Sequence, residues 1–249
     1  MDFKVRGHSS YKLSLIDDVV KKYSNKPDVR LVKSALKQQK FKSNHFNAPK
    51  VLEINESEFF MEYIQGQSFS EFFNLATKYD LDLLIKKLDG YFSETIIGEI
   101  NLPVSVLTDK LASLPNNENL LSLLSNKEFI KVKVGNCHGD MTLSNMIFDN
   151  NIYLIDFLDS YIESPTMDIV KLRQDTHLLW SLNMVDTPLD LTKIKIGLEY
   201  IDKWICANFN VDDYEILQII NLLRIYPYST DEKIKIWIDK NIKKLCEHL

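Results

Sequence analysis

Cys137-His138-Gly139-Asp140-Met141-Thr142-Leu143-Ser144-Asn145-Met146-Ile147-Phe148, a short Asp/Asn turn, and Tyr153-Leu154-Ile155-Asp156-Phe157 form the stretch that decides the fold. The two apolar runs flank Asp149-Asn150-Asn151, which predicts a tight hairpin. Asp140 and Asn145 stand on the loop before the hairpin, and Asp156 stands directly after it.

An aspartate, a carboxamide five residues later and a second aspartate after a hairpin are what ATP-dependent phosphoryl transfer needs. One carboxylate takes the proton from an attacking hydroxyl. The amide oxygen and the other carboxylate hold magnesium on the triphosphate. Taken singly, each of these residues reads as an ordinary turn or strand-end residue, since Asp and Asn are common there. Taken together, at this spacing, they point to function.

Outward from this segment the chain changes character. Toward the N-terminus it reads as strands: Phe3–Arg6, Lys12–Ile16, and a run from Val19 after the turn signal Asp17-Asp18. Pro27-Asp28 opens a helix through about Lys42, with Val29, Val32, Leu36 and Gln39 on one face. Val51–Ile54 and Phe59–Tyr63 form a hairpin around Asn55-Glu56-Ser57, giving a five-stranded sheet with one inserted helix. Ser68-Phe69-Ser70-Glu71 is a capping box, and beyond it the pattern is helical apart from the motif hairpin. Ser164-Pro165 starts a helix over about 165–183, and further helices are expected near 189–209, 213–226 and 231–247, the third behind a capping box at Asp212-Asp213. The predicted class is α+β. A small N-terminal antiparallel-sheet lobe with one helix (1–66) is joined by a connector near 62–67 to a larger, mostly helical C-terminal lobe (67–249).

Bulk properties fit this picture. The 249 residues suffice for two lobes with a real core, and 45% hydrophobic with 26% charged residues is ordinary for a soluble globular protein. A net charge of −5 argues against a nucleic-acid-binding surface. No apolar run is long enough for a membrane span, and Met1–Arg6 lacks the apolar core of a signal peptide. The three cysteines are far apart, without a C-x-x-C pair, which speaks against a disulfide framework or zinc site and for a cytoplasmic setting.

His138-Gly139-Asp140-x-x-x-x-Asn145, with Ile155-Asp156-Phe157 and then Ser164-Pro165-x-x-Asp168, resembles the aminoglycoside phosphotransferase and choline kinase group. The resemblance implies a bilobal protein-kinase-like fold. It implies Asp140 as the catalytic base and Asn145 and Asp156 as magnesium ligands. His138 would brace the loop and Asp168 would hold it from below. Lys21 would be the strand lysine on the α/β-phosphates, with Lys22 as the alternative. Strand alternation puts Val19 and Lys21 on one face and Val20 and Lys22 on the other. Gly7 to Tyr11 takes the nucleotide-loop position, with Ser9 and Ser10 offering amides and hydroxyls. Glu62, Tyr63 and Ile64 take the connector position, whose backbone would hydrogen-bond adenine.

Two features depart from the family pattern. The first loop has one glycine, and the segment Val29–Lys42 has no acidic residue to pair with the strand lysine. The expected activity is ATP- and Mg2+-dependent transfer of the γ-phosphate to a hydroxyl of a sugar, polyol or amino alcohol, with no nucleic-acid or membrane partner. The alternatives are a catalytically silent nucleotide-binding scaffold and an AMP-transferring enzyme on the same fold. Among the neighbouring residues, Cys137 reads as a small buried hydrophobe rather than a nucleophile, and His8 as an exposed loop residue. Glu163, Asp175 and His177 read as charged surface of the helical lobe, and Asp159 is open between a site role and none.

Overall fold

The computed structural model describes residues 11–112, 114, 124, 127–185, 189–210, 214–229 and 231–247. The strand expected at Phe3–Arg6 and the cap at Asp212-Asp213 lie outside these residues.

Strands β1 (Lys12–Ile16), β2 (Val19–Tyr23), β3 (Val51–Ile54) and β4 (Glu58–Glu62) form an antiparallel sheet in the order β1-β2-β4-β3. The β1–β2 hairpin closes through Asp17 and Asp18, both at positive φ (45° and 61°). Two consecutive left-handed residues match the twist of a two-residue hairpin, and aspartate tolerates that conformation better than most residues. Helix α1 (Val29–Lys40) starts at Asp28, whose carboxylate accepts the Arg30 N–H at 2.8 Å.

The buried face of α1 differs from the expected one. Leu31, Ser34, Ala35 and Gln38 are buried, whereas Val29 is 72% exposed. Hydrophobicity alone misses this face because two of its members are polar and find partners inside. Gln38 Nε2 donates to Pro49 O at 2.9 Å, and Ser34 Oγ donates to Phe157 O.

Beyond the connector, α2 (Phe69–Leu75) begins with the expected capping box. Ser68 Oγ accepts from Glu71 N–H, and the Glu71 carboxylate accepts from Ser68 N–H. Next come α3 (Lys78–Thr95), β5 (Ile96–Pro103), α4 (Val104–Ala112) and β6 (Phe129–Gly135). The β5–β6 ladder departs from the helical expectation for this region. No turn residue separates Thr95 at the end of α3 from Ile96 at the start of β5, and the partner strand lies some thirty residues away, so nothing local marks the change. The motif hairpin is β7 (Met146–Phe148) with β8 (Ile152–Leu154), preceded by a single 3-10 turn at Leu143–Asn145. The chain ends in α5 (Pro165–Thr176), α6 (Leu191–Asn208), α7 (Tyr214–Ile225) and α8 (Glu232–Cys246). α5 ends at Thr176, short of the expected 183, and a 3-10 turn at Ser181–Met184 follows.

Apolar side chains gather in two clusters. The small one joins Val20, Leu31, Ala35, Val51, Phe59 and Met61 under the four-stranded sheet. The large one runs through the helical part and takes in Phe46, from the segment after α1. That segment also pairs with the motif hairpin: Asn47 N–H donates to Ile152 O at 2.9 Å, and Leu154 N–H donates to Asn47 O at 2.8 Å. α5 occupies the centre of the large cluster, where every residue but Lys171 is buried. A helix buried on all sides is expected to be apolar. This one carries Asp168, Arg173, Gln174 and Asp175 inside, and its two carboxylates shape the loop described next.

Candidate active site

His138 is fully buried and links both arms of the motif. Its Nδ1 accepts the Asp140 N–H at 3.2 Å, so the ring proton sits on Nε2, which donates to Ile155 O at 2.9 Å. Burial pushes the imidazole down to about 4, against the pull of Asp140 and Asp156, and the ring is neutral at physiological pH. Its face rests on the Phe157 ring, with centroids 4.2 Å apart.

Asp168 holds the same loop from α5. Its two oxygens accept the His138 and Gly139 N–H groups, each at 2.7 Å, and the Tyr91 hydroxyl donates to it at 3.0 Å. Burial raises this carboxyl to about 6 even though those three donors work to lower it. Gly139 is obligatory here: φ is +92°, and a Cβ would lie 2.0 Å from Leu158 O.

Two further side chains of α5 make contacts that the sequence pattern does not announce. Lys171 Nζ lies 3.0 Å from Asp140 Oδ1, and Asp175 accepts the Leu143 N–H at 2.5 Å and the Ser181 N–H at 2.8 Å. Asp175 is therefore a buried loop brace rather than helical surface, and burial raises its carboxyl to about 6. Asp168, Lys171 and Asp175 are spaced i, i+3, i+7, which puts all three on one stripe of α5. That spacing was present in the sequence, but it gains meaning only once the stripe is known to face the loop.

Asp140 is held from two sides. Asn145 Nδ2 donates to Asp140 O at 2.8 Å and to Asp140 Oδ2 at 3.1 Å, and Lys171 takes the other carboxylate oxygen. Burial acts to raise this carboxyl, but the Lys171 ammonium above all, with the Asn145 amide adding to it, outweighs it, and the group is held below its ordinary value. Because the Asn145 amide nitrogen is turned to Asp140, its oxygen is the end left for a cation. The Asn145 backbone carbonyl accepts the Ile155 N–H at 3.0 Å, which ties the loop to the residue before Asp156. Asp156 itself sits at φ +63°.

The strand lysine that reaches this group is Lys22, which corrects the preference for Lys21. Lys22 Nζ forms an ion pair with Asp156 Oδ1 and its residue is only 5% exposed. Lys21 points to the other face, where it pairs with Glu58 at 2.6 Å beside the Tyr23 and Phe60 rings. The cause is the small core: Val20 is buried in it, and strand alternation carries Lys22 inward with Val20.

Helix α1 supplies no acid for this lysine and instead contributes cations. Lys33 Nζ pairs with Asp159 at 3.3 Å. Lys37 Nζ pairs with Glu163 at 2.7 Å and donates to Leu158 O at 2.8 Å. With Ser34 on Phe157 O, three side chains from two successive turns of α1 grip the segment after Asp156. Asp159 and Glu163, read as a possible site residue and as surface, are the acidic halves of this grip. Cys137 is buried, and burial pushes its thiol well above the ordinary range, which holds it as the thiol.

In the connector, the Glu62 N–H donates to Lys50 O at 3.0 Å and the Tyr63 N–H to Asp18 O at 3.0 Å. Among Glu62, Tyr63 and Ile64, the backbone donor not committed in this way is that of Ile64. A surface concavity of about 510 Å3, lined by Gly66, Phe72 and Phe148 among others, opens beside the connector. Gly7, Ser9, Ser10 and His8 lie outside the described residues.

Among the described residues no group of three His, Cys, Asp or Glu side chains is placed to hold a metal ion. The candidate magnesium donors are the Asn145 amide oxygen and the Asp156 carboxylate. Both are hard oxygens, and two protein donors suit an ion that keeps waters and takes phosphate oxygens. The residues present therefore fit the cation, with Lys22 as its neighbour on Asp156.

The sequence profile of the phosphotransferase enzyme family (APH) matches residues 109–190, the segment that contains the loop, the hairpin and α5. Solved structures with the same fold include a choline/ethanolamine kinase family protein from Mesorhizobium loti (15% identity, TM-score 0.52, covering 100% of this chain and 87% of that one). They also include the gentamicin-APH(2")-IIa complex (19%, TM-score 0.54, 96% and 89%) and ADP-bound aminoglycoside phosphotransferase APH(2'')-Ib (19%, TM-score 0.50, 98% and 91%). No curated protein matches the chain. At these identities the structural likeness establishes the fold, which is the expected kinase-like α+β architecture. The profile match carries the class, a phosphotransferase, as the motif implied. Among the described residues, no helix is long and apolar enough to cross a membrane.

Proposed function

We propose that the protein is an ATP- and Mg2+-dependent small-molecule kinase. It moves the γ-phosphoryl group to a hydroxyl of a sugar, polyol or amino alcohol. Residues 1–66 serve as the nucleotide lobe and 67–249 as the lobe of the metal and acceptor. Asp140 orients the acceptor hydroxyl and takes its proton. Asn145 and Asp156 hold magnesium on the triphosphate. Lys22 neutralises phosphate charge, the Ile64 backbone meets adenine, and Gly7, Ser9 and Ser10 offer backbone amides and hydroxyls to the phosphates.

The observation that carries this reading is the bracing of Asp140 by His138, by Lys171 of α5 and by the Asn145 amide nitrogen. The carboxylate is kept ionised and the amide oxygen is left free, which are the states a base and a metal donor need. Positioning and charge neutralisation supply most of the catalysis in this chemistry. The kinase-like fold and the phosphotransferase profile add support.

The test is a thermal-shift measurement with and without Mg-ATP on the parent and on Asp140→Asn, followed by product analysis over sugars, polyols and amino alcohols. Both proteins should bind Mg-ATP, and only the parent should form ADP and a phosphorylated acceptor. Pyrophosphate with an adenylylated acceptor would replace the proposal by AMP transfer. Binding without turnover of any acceptor would replace it by a silent scaffold.

A further inference from the structure

Four carboxylates stand on the loop and on the segment after the hairpin, and each is matched by a lysine from another element. Asp140 has Lys171 at 3.0 Å, Asp156 has Lys22, Asp159 has Lys33 at 3.3 Å, and Glu163 has Lys37 at 2.7 Å. The two buried acids nearby, Asp168 and Asp175, are committed to backbone N–H groups. Every one of the six already has a partner, and at Asp140, where the acceptor hydroxyl would sit, that partner is an ammonium.

Lys171 is the decisive member. Its side chain is 12% exposed, and the described residues take one of its three N–H donors, the one directed to Asp140 Oδ1. An acceptor hydroxyl hydrogen-bonded to Asp140 lies about 2.7 Å from that carboxylate. Substituents on the neighbouring carbons then fall within a few ångströms of the Lys171 ammonium. A positive group there is repelled in a site of low dielectric, and a negative group gains a charge-assisted hydrogen bond.

We infer that the acceptor alcohol carries an anionic group, a carboxylate or a phosphate ester, close to the hydroxyl that is phosphorylated, and that Lys171 holds it. This rests on the kinase reading and narrows its acceptor class.

The experiment uses the full chain with Mg-ATP and two acceptor sets, each built on one carbon skeleton: glycerol, glycerate, glycerol 3-phosphate and 3-amino-1,2-propanediol; then glucose, glucuronate, glucose 6-phosphate and glucosamine. ADP formation gives kcat/KM for each. In at least one set the anionic members should exceed the amine by about tenfold or more. The better of carboxylate and phosphate ester identifies the anion. Lys171→Met should collapse that preference by about tenfold, and Lys171→Arg should retain it. The charge ratio, rather than the rate alone, separates anion recognition from mere support of Asp140. Mg-ATP binding with no anion preference, or with a preference that survives Lys171→Met, overturns this inference and leaves the kinase reading standing. Absence of any Mg-ATP thermal shift overturns both.

Discussion

Lys22 of β2 and Asp156 after the motif hairpin form an ion pair across 134 positions of sequence, joining the four-stranded sheet to the candidate metal site. The lysine is buried and the aspartate about one-third exposed, so Asp156 is the partner with access to solvent and to a cation. In the proposed reaction, Lys22 would shift from carboxylate to phosphate as Mg-ATP arrives. Lys22→Met should therefore lower kcat/KM for ATP by about 100-fold or more, the scale for losing one preorganised charge contact. Lys21→Ala removes only an outward pair with Glu58 and should change it by less than about threefold. Equal losses in both variants, measured by ADP release, would contradict the assigned register.

His138 is expected to remain neutral with its proton on Nε2 down to about pH 5. Nitrogen-15 NMR of the ring reads this directly. The folded pKa of about 4 lies below the value near 6.5 of an unfolded histidine. Between those values the unfolded chain binds the extra proton, so stability from this residue is present above pH 6.5 and is lost as pH falls toward 4. The full effect is roughly 3 kcal/mol. A ring that titrates near 6.5 in the folded protein would show that the loop is not closed over it.

Asp175 acts in the opposite sense within an overlapping window. Its carboxyl is raised to about 6 in the folded state against about 3.9 unfolded. Its contribution is therefore full below pH 4 and declines as pH rises through 6. Urea midpoints of Asp175→Asn, compared with the parent at pH 4.5 and 7, should show a shallower decline over this interval. Asp175→Ala leaves the Leu143 and Ser181 N–H groups without their acceptor and should cost about 2–4 kcal/mol at either pH. An alanine variant of parental stability would remove Asp175 from the loop's supports.

What was legible in the sequence was local chemistry. The Asp140/Asn145/Asp156 spacing, the Ser68–Glu71 capping box and the Ser164-Pro165 helix start depend on neighbours within a few residues, and each lies where the pattern put it. What escaped depends on which way an element faces. Period-two alternation separates Lys21 from Lys22 but does not say which face meets α1; the small core decides that. The buried stripe of α1 escapes a hydrophobic pattern because Ser34 and Gln38 are satisfied by Phe157 O and Pro49 O, groups that only tertiary structure brings near. Lys171 carries no local signal for the same reason. A lysine between buried aspartates looks like solvated surface until α5 is seen to be enclosed on every other side.

The grip of α1 on residues 157–163 gives the last prediction. A kinase-like sheet lobe ordinarily relies on a lysine–glutamate pair between strand and helix to fix the helix in place. Here the helix is fixed from its own cations: Lys37 spans the Leu158 carbonyl and the Glu163 carboxylate, and Lys33 reaches Asp159. Lys37 is the more enclosed of the two lysines, and it satisfies a backbone oxygen as well as a charge, so it should matter more than the exposed Lys33 pair. Lys37→Met keeps most of the stem while removing the donor. It should speed amide hydrogen exchange across 157–163 by about tenfold or more, corresponding to a local loss of about 1.4 kcal/mol. Lys33→Met should leave exchange there within about threefold of the parent. Exchange unchanged by Lys37→Met, or changed equally by both variants, would mean that packing of Phe157, rather than the lysine, holds this segment to the helix.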